Sequence, residues 1–105
     1  MRFMRVMIFF DLPVKSKQDR RAYTDFRREL LKNGFIMVQY SVYSRTVKNQ
    51  DDANKYERLI ERIVPANGSV RMMTVTEKQY AAIRLLAGER LKSENLLDTK
   101  DILEL

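Results

Sequence analysis

The alternation of apolar and polar stretches divides the chain into short strands and amphipathic helices. Residues 2–11 contain five consecutive apolar residues, VMIFF, and such a continuous run is typical of a central strand that is covered on both faces. Pro13 cannot continue a strand ladder, so this first strand is predicted to end before it.

The segment after Pro13 predicts an amphipathic helix. Ser16 is a good N-cap residue. Asp19, three positions later, weakly matches the capping-box pattern. The helix is expected to run to about Lys32 and to end at Asn33 and Gly34, because glycine readily adopts the left-handed conformation that closes helices. The apolar positions of its inner face are Ala22, Tyr23, Phe26 and Leu30.

The next segments complete a regular order of elements. Residues 35–47 are rich in β-branched and aromatic residues, which predicts two short strands with an irregular turn near Gln39, or one long bent strand. A second helix over about 51–64 and a strand over 68–76 follow. The order β-α-β-β-α-β indicates an α+β fold of the ferredoxin-like type, with helices on one face of an antiparallel sheet.

The C-terminal segment exceeds that pattern. Residues 77–82 predict a helical turn and residues 83–88 a short strand, which gives a ferredoxin-like domain over 1–88. Residues 89–105 form a polar linker followed by an apolar tail. We expect this tail to dock on a partner subunit, because a chain of 105 residues has a modest core and gains from burying more surface.

Composition removes several classes of chemistry. The chain contains neither cysteine nor histidine, which excludes disulfides, thiolate nucleophiles, histidine-dependent triads and the usual zinc ligands. Any catalysis must therefore rest on carboxylates, hydroxyls, Lys or Arg, or on a metal held by oxygen atoms. No apolar stretch reaches the roughly 20 residues that cross a bilayer, so we expect no membrane association and a cytoplasmic location.

Positive charge is concentrated near the N-terminus. The net charge is +6, and residues 1–32 contain nine Lys or Arg against four Asp or Glu. Six cations on the first helix lie on or beside the face opposite Phe26, and they could follow a phosphate backbone in a salt-dependent, sequence-tolerant way. The alternative is a solvated helix face with Asp25 and Glu29 as partial partners. The six cations are Lys17, Arg20, Arg21, Arg27, Arg28 and Lys32.

Asp11 stands at the tip of the first strand and has two interpretations. It could be a turn residue ahead of Leu12 and Pro13, since turns favour aspartate. It could instead be a metal ligand, because Mg²⁺ takes one or two protein carboxylates together with waters and substrate phosphates. A single aspartate per chain is too few for a stable site, so the second interpretation requires two copies that face each other across a two-fold axis.

The stretch after Val38 alternates in a way that also leaves two interpretations open. Gln39, Ser41 and Tyr43 alternate with Tyr40 and Val42, so one set is expected to point away from the core. That set could contact nucleic acid or a second copy of the chain. Alternatively, these are ordinary sheet residues.

The ordered set of short motifs resembles the CRISPR-associated protein 2 family. The set comprises the apolar strand that ends in Phe10-Asp11-Leu12-Pro13, the basic helix with Arg20 and Arg21, and Gly34 before the second strand. It continues with QYSVY at 39–43, where the family pattern is glutamine, any residue, serine, valine and an aromatic residue. The resemblance covers residues 1 to about 88. In this region the sequence looks especially like members from single-effector (type II) systems.

The resemblance implies a homodimer in which a C-terminal extra strand is exchanged between subunits. It also implies a role in spacer acquisition, where the dimer is a scaffold between two dimers of the integrase, CRISPR-associated protein 1, and binds duplex DNA of the protospacer and repeat. Some family members are described as metal-dependent endonucleases acting on RNA or DNA. For those members the residue matching Asp11 is the catalytic ligand of Mg²⁺, with Mn²⁺ as an alternative.

These implications give three hypotheses. The first is a dimeric DNA-binding scaffold of CRISPR adaptation, in which the six cations of the first helix contact nucleic acid. The second adds an endonuclease activity centred on Asp11. The third is a stand-alone, toxin-like metal-dependent ribonuclease, since small ferredoxin-like ribonucleases share this architecture.

Overall fold

In the computed structural model, which describes residues 3–89, four strands form one antiparallel sheet in the order β2-β3-β1-β4. This order, with β1 in a central position, is that of the predicted ferredoxin-like α+β fold. Two long helices and one short helix accompany the sheet. The elements are β1 (Met4–Asp11), α1 (Lys17–Lys32), β2 (Ile36–Gln39), β3 (Val42–Val47), α2 (Gln50–Ile63), β4 (Ser69–Thr76) and α3 (Glu77–Ala81).

The two faces of the sheet are distinguished by the side chains of β1. Val6, Ile8 and Phe10 point to the inner face, where they pack in one core cluster with Phe26 of α1 and Ile60 of α2. The intervening residues of β1 point to the opposite, outer face, because successive strand residues alternate. Val6 and Ile8 are 0% exposed, which confirms that the VMIFF run belongs to a central strand.

The helix starts follow the predicted capping chemistry. The Ser16 hydroxyl accepts from the Asp19 backbone N–H at 3.0 Å, and the Asp19 carboxylate accepts from the Ser16 N–H, which completes the capping box. Asn49 caps α2 in the same manner by accepting from the Asp52 N–H. These bonds satisfy backbone donors that a helix leaves without partners at its first turn.

Gly34 ends α1 with a left-handed backbone at φ +83°, as predicted. A Cβ at this position would lie 1.9 Å from Nη1 of Arg45. The Arg45 guanidinium in turn packs over the ring of Tyr56 and donates a 2.7 Å hydrogen bond to its hydroxyl. Glycine is therefore favoured by the turn, and a Cβ here would also displace the Arg45 guanidinium that links β3 to α2.

The segment over 35–47 forms two strands rather than one. The strands β2 and β3 join through a two-residue turn at Tyr40 and Ser41, and the register shifts between Met37 and Gln39. The irregular turn near Gln39 is therefore confirmed, and the single bent strand is excluded.

The helical turn predicted after β4 is confirmed as α3, whereas the strand predicted over 83–88 is not formed within a single chain. These residues form no regular element, although Ile83, Leu85 and Leu86 are apolar and at least 53% exposed. A strand needs a neighbour to complete its hydrogen-bond ladder, and within residues 3–89 this segment has none. The predicted tail over 90–105 lies outside the described residues.

Candidate nucleic-acid interface

Asp11 is the last residue of β1 and is exposed. It follows the buried Phe10, so alternation along the strand places it on the outer face of the sheet. Its backbone pairs with Ser69 of β4, and its carboxylate makes no hydrogen bond or ion pair with residues 3–89. The strand therefore presents an uncompensated carboxylate to solvent at the end of a rigid sheet.

A single exposed carboxylate fits part of a magnesium site. No group of three or more acidic side chains that could hold a metal occurs in the part of the chain that the structure describes. Mg²⁺ often takes one or two carboxylates and completes its shell with waters and phosphates. Asp11 is thus suited to be one ligand, and the remaining ligands would have to come from solvent, a nucleic-acid phosphate or a second copy.

Arg71 is a candidate residue that the sequence did not reveal. It pairs with Phe9 in the β1–β4 register, two residues along β4 from the partner of Asp11, so it shares the outer face with the carboxylate. Diagonal neighbours of this kind have Cα atoms about 7–8 Å apart. Arg71 is exposed, which leaves a cation beside Asp11. Only the strand register brings these residues together, since they are 60 positions apart in the chain.

The six predicted cations of α1 are all exposed, but the structure divides them into two groups. Arg20 donates from Nη1 to the carbonyls of Val14 and Lys15 at 3.3 and 2.9 Å, so it holds the β1–α1 loop against the helix. Arg28 pairs with Asp25 at 3.2 Å, an exposed pair of small energetic value. Arg27 donates from Nε to the Tyr43 hydroxyl at 2.9 Å.

The other three cations of the helix have no partner within residues 3–89. Lys17, Arg21 and Lys32 make neither a hydrogen bond nor an ion pair through their side chains in that range. Their charges are therefore fully available to an anionic ligand. Of the acidic partners that the solvated-face interpretation names, Asp25 pairs with Arg28, and both interpretations stay open for Lys17, Arg21 and Lys32.

An aromatic cluster lies at the same end of the sheet as Asp11. Phe10 stacks on Tyr43, with ring centroids 5.6 Å apart, and meets Tyr23 and Phe26 edge-on. Burial raises the pKa of the Tyr23 hydroxyl, and a hydrogen-bonding interaction with Tyr40 raises it further. The cluster therefore connects the β2–β3 turn to α1.

The structure decides which residues of the QYSVY stretch face solvent. Tyr43 is 1% exposed, whereas Tyr40 is 76% exposed. Ser41 has a positive φ of 64°, and its carbonyl accepts a 3.1 Å hydrogen bond from the Phe10 N–H. The turn is thereby fixed beside the residue that precedes Asp11, and its exposed side chains are Gln39 and Tyr40.

Comparison with known proteins identifies the family of the chain. The model of the CRISPR associated protein Cas2 family matches residues 4–83. The chain belongs to the Cas2 family. A protein of Acidovorax ebreus named "CRISPR-associated endoribonuclease Cas2" is 50% identical over 99 residues, covering 94% of this chain and 97% of the relative.

Further relatives agree with this assignment to Cas2. Proteins with the same name from Ligilactobacillus salivarius and Treponema denticola are 45% and 48% identical, covering 85% and 82% of this chain and 88% and 85% of the respective relatives. A solved structure titled "Crystal structure of cas2" is 24% identical, covers 87% of this chain and 92% of the solved chain, and superposes with a TM-score of 0.53. This structural likeness supports the ferredoxin-like fold.

Other kinds of site receive less support in this Cas2 chain. A cavity of about 180 Å³ lies between the β1–α1 loop, α1 and the loop after α2, which is below the roughly 300–1,000 Å³ usual for small-molecule sites. Within residues 3–89, no helix has the length and apolar character that a membrane crossing requires. The exposed end of the sheet and the basic helix remain the principal candidate surfaces.

Proposed function

We propose that this Cas2 protein is a dimeric scaffold of CRISPR adaptation that binds duplex DNA and bridges integrase dimers for spacer insertion. The observation that carries the proposal is the exposed basic helix α1, on which Lys17, Arg21 and Lys32 have no partner within residues 3–89. Contacts from such cations release counterions from DNA and supply affinity without sequence readout. A scaffold that accepts foreign DNA of any sequence requires this kind of binding.

The homodimer in this proposal is supported by apolar surface that residues 3–89 leave exposed. On the outer face of the sheet Met73 is 50% exposed, and after α3 the side chains of Ile83, Leu85 and Leu86 are at least 53% exposed. Contiguous exposed apolar surface is typical of protein interfaces. In a homodimer, residues 83–88 of each copy would form a strand on the sheet of the other copy. This exchange would cover the exposed apolar surface and would give residues 83–88 a ladder partner.

Charge reversal on α1 tests DNA binding. The triple variant Lys17→Glu, Arg21→Glu, Lys32→Glu should bind a labelled duplex far more weakly, and the dependence of log K on log salt should become shallower by up to about 3. A matched control reverses three exposed cations of α2, Lys55, Arg58 and Arg62. Equal losses in the two triple variants would show that α1 is not the DNA face.

The scaffold role is tested with the purified integrase, CRISPR-associated protein 1. The wild-type chain should form a stable complex with it and support insertion of a short duplex into a repeat-containing plasmid. Asp11→Ala should leave insertion intact if the scaffold role is independent of the carboxylate. Failure of the wild-type chain to bind the integrase would contradict the scaffold role.

A second candidate function is metal-dependent endonuclease activity at Asp11. It is favoured by the uncompensated carboxylate of Asp11 and by the word "endoribonuclease" in the names of the relatives. The Asp11 side chains of two copies would hold Mg²⁺ or Mn²⁺, and the metal would supply polarisation of a phosphate and activation of water. Arg71, on the same face, would hold the phosphate in place.

Asp11→Ala and Asp11→Asn test this second function. Both variants should abolish cleavage of RNA or DNA in Mg²⁺ without changing the sedimentation of the dimer. Residual cleavage at the wild-type rate would indicate a contaminating nuclease. Cleavage of RNA by a chain that does not bind the integrase would instead favour the stand-alone, toxin-like ribonuclease.

A further inference from the structure

Tyr40 presents an aromatic ring to solvent at the tip of the β2–β3 hairpin. With 76% of its surface exposed, it is far more open than the buried Tyr43 and Tyr80. It lies close enough to Tyr23 of α1 to raise the pKa of that hydroxyl. The ring is therefore accessible to a ligand, and the turn that carries it is held by the 3.1 Å hydrogen bond from the Phe10 N–H to the Ser41 carbonyl.

The backbone of this turn departs from the usual sequence preferences. Two-residue hairpin turns favour Asn-Gly or Gly-containing pairs, because these residues tolerate positive φ. Here the pair is Tyr40-Ser41, and Ser41 adopts a φ of 64°. A strained residue at an exposed turn is a reason to look for a function there, and the side chain that the turn displays is Tyr40.

Arg27 supplies a cation to the same cluster. It donates through Nε to the Tyr43 hydroxyl at 2.9 Å, and its charge acts on Tyr23. Its two terminal nitrogens make no hydrogen bond within residues 3–89. The fixed guanidinium can therefore direct its remaining N–H groups at a phosphate, which arginine binds with two parallel hydrogen bonds.

We propose that Tyr40 and Arg27 form a binding site for one nucleotide with an unpaired base, in which the base stacks on the Tyr40 ring and the adjoining phosphate binds Arg27. Stacking on aromatic side chains and phosphate contacts from arginine are the two interactions by which proteins hold single-stranded nucleic acid without sequence preference. The inference rests on the proposed nucleic-acid binding of this chain. It adds an accessible base as the feature recognised at the Asp11 end of the sheet.

The location of the site gives it a role distinct from that of Lys17, Arg21 and Lys32. The N–H of Phe10 bonds to the carbonyl of Ser41, so the turn that carries Tyr40 is attached to the residue next to Asp11. A nucleotide held at Tyr40 would place the following phosphates near the end of β1. A continuous duplex offers no accessible base face, so only single strands and frayed ends would use this site.

The test compares single-stranded and duplex probes on the full chain. Fluorescence anisotropy of a labelled strand of about 12 nucleotides would be measured alone and after annealing to its complement. Tyr40→Ala should weaken single-strand binding by roughly tenfold or more and leave duplex binding unchanged. Since the chain contains no tryptophan, tyrosine emission should also be quenched by the single strand, and less so in Tyr40→Ala.

Two controls separate stacking from other roles. Tyr40→Phe keeps the ring and removes only the hydroxyl, so it should bind the single strand like the wild type. Phe3→Ala removes another exposed aromatic ring at the opposite end of β1 and should have no effect. Arg27→Gln should weaken single-strand binding and reduce its salt dependence. Thermal unfolding of each variant checks that the fold is retained.

The outcomes separate this inference from the proposed function. If Tyr40→Ala weakens both probes equally, or neither, or if Tyr40→Phe is as defective as Tyr40→Ala, the stacking site is wrong. Wild-type binding to the duplex but not to the single strand would overturn the stacking site and leave the scaffold proposal standing. Wild-type binding to neither probe would overturn both.

Discussion

The two faces of the sheet differ in how completely residues 3–89 cover them. On the inner face, Val6 and Ile8 of β1 are fully buried beneath α1 and α2. On the outer face, Arg5 and Met7 are 3% and 5% exposed, while Asp11 at the end of β1 is open to solvent. Residues 3–89 therefore complete a core on the inner face and leave part of the outer face exposed.

The two faces also differ in the kind of interaction that holds the covering helices in place. The inner face is sealed by apolar and aromatic contacts such as that of Phe10 with Phe26, whose ring centroids are 5.3 Å apart. The covered part of the outer face is instead held by an ion pair between the buried Arg5 and the half-buried Glu77, with the Arg5 guanidinium 3.9 Å from the centroid of the Tyr80 ring. Apolar contacts tolerate many partners, whereas an ion pair specifies one, so α3 is held at a defined place on the sheet.

The largest expected effect comes from the inner face. Phe26→Ala removes a ring that is 2% exposed and should lower the free energy of unfolding by about 3–5 kcal/mol, measured by urea denaturation followed by circular dichroism. The control is Leu31→Ala on the same helix, which is 43% exposed and should change stability by less than about 0.5 kcal/mol. Similar losses from both variants would contradict the assignment of the core to the inner face.

The next effect tests the ion pair of the outer face. Glu77→Ala leaves the buried Arg5 guanidinium without its bidentate carboxylate partner, which accepts at 2.8 and 2.9 Å, and should cost about 3 kcal/mol of stability. Because the penalty arises from the unpaired charge, the double variant Arg5→Leu, Glu77→Leu should recover much of it. A neutral effect of Glu77→Ala in thermal unfolding would show that α3 does not depend on this pair.

A smaller loss of stability is expected at Gly34, beside the Arg45–Tyr56 contact that joins β3 to α2 on the inner face. Gly34→Ala would place a methyl group 1.9 Å from Arg45 Nη1, so the guanidinium must leave the ring of Tyr56, and the left-handed backbone adds strain. The expected loss is about 2 kcal/mol. Gly88→Ala is the matched control, because Gly88 has a φ of +94° but no atom within 4 Å of the added Cβ. Equal losses would assign the whole effect to backbone strain.

The sequence predicts the inner face better than the outer face because the inner face is encoded locally. Ser16 and Asp19 lie three residues apart and define the start of α1, and the spacing of Phe26 and Leu30 identifies its apolar side. The run of apolar residues in β1 is sufficient to place that strand at the centre. Each of these signals lies within a few residues of the feature that it predicts.

The outer face and the candidate site depend on contacts that are distant in the chain. Arg5 resembles a surface residue in the sequence, yet it is buried. Its charge is paired with Glu77, which lies 72 positions away in the chain. The proximity of Arg71 to Asp11 follows from the β1–β4 register, which no local pattern specifies. Residues 83–88 have the composition of a strand, but a strand also requires a partner, and sequence alone does not say whether the same chain supplies it.

The smallest effect on folding, and the sharpest test of the comparison, is expected at Met73. This outer-face residue is 50% exposed, so Met73→Lys should change the unfolding free energy of the dilute chain by less than about 0.5 kcal/mol. In the proposed homodimer the introduced lysine would place a charge in the buried interface, so sedimentation velocity should show loss of self-association. Met37→Lys, at a methionine of 39% exposure on the edge strand β2, should keep the dimer intact. Dissociation by Met37→Lys but not by Met73→Lys would place the interface at the edge of the sheet instead of on its outer face.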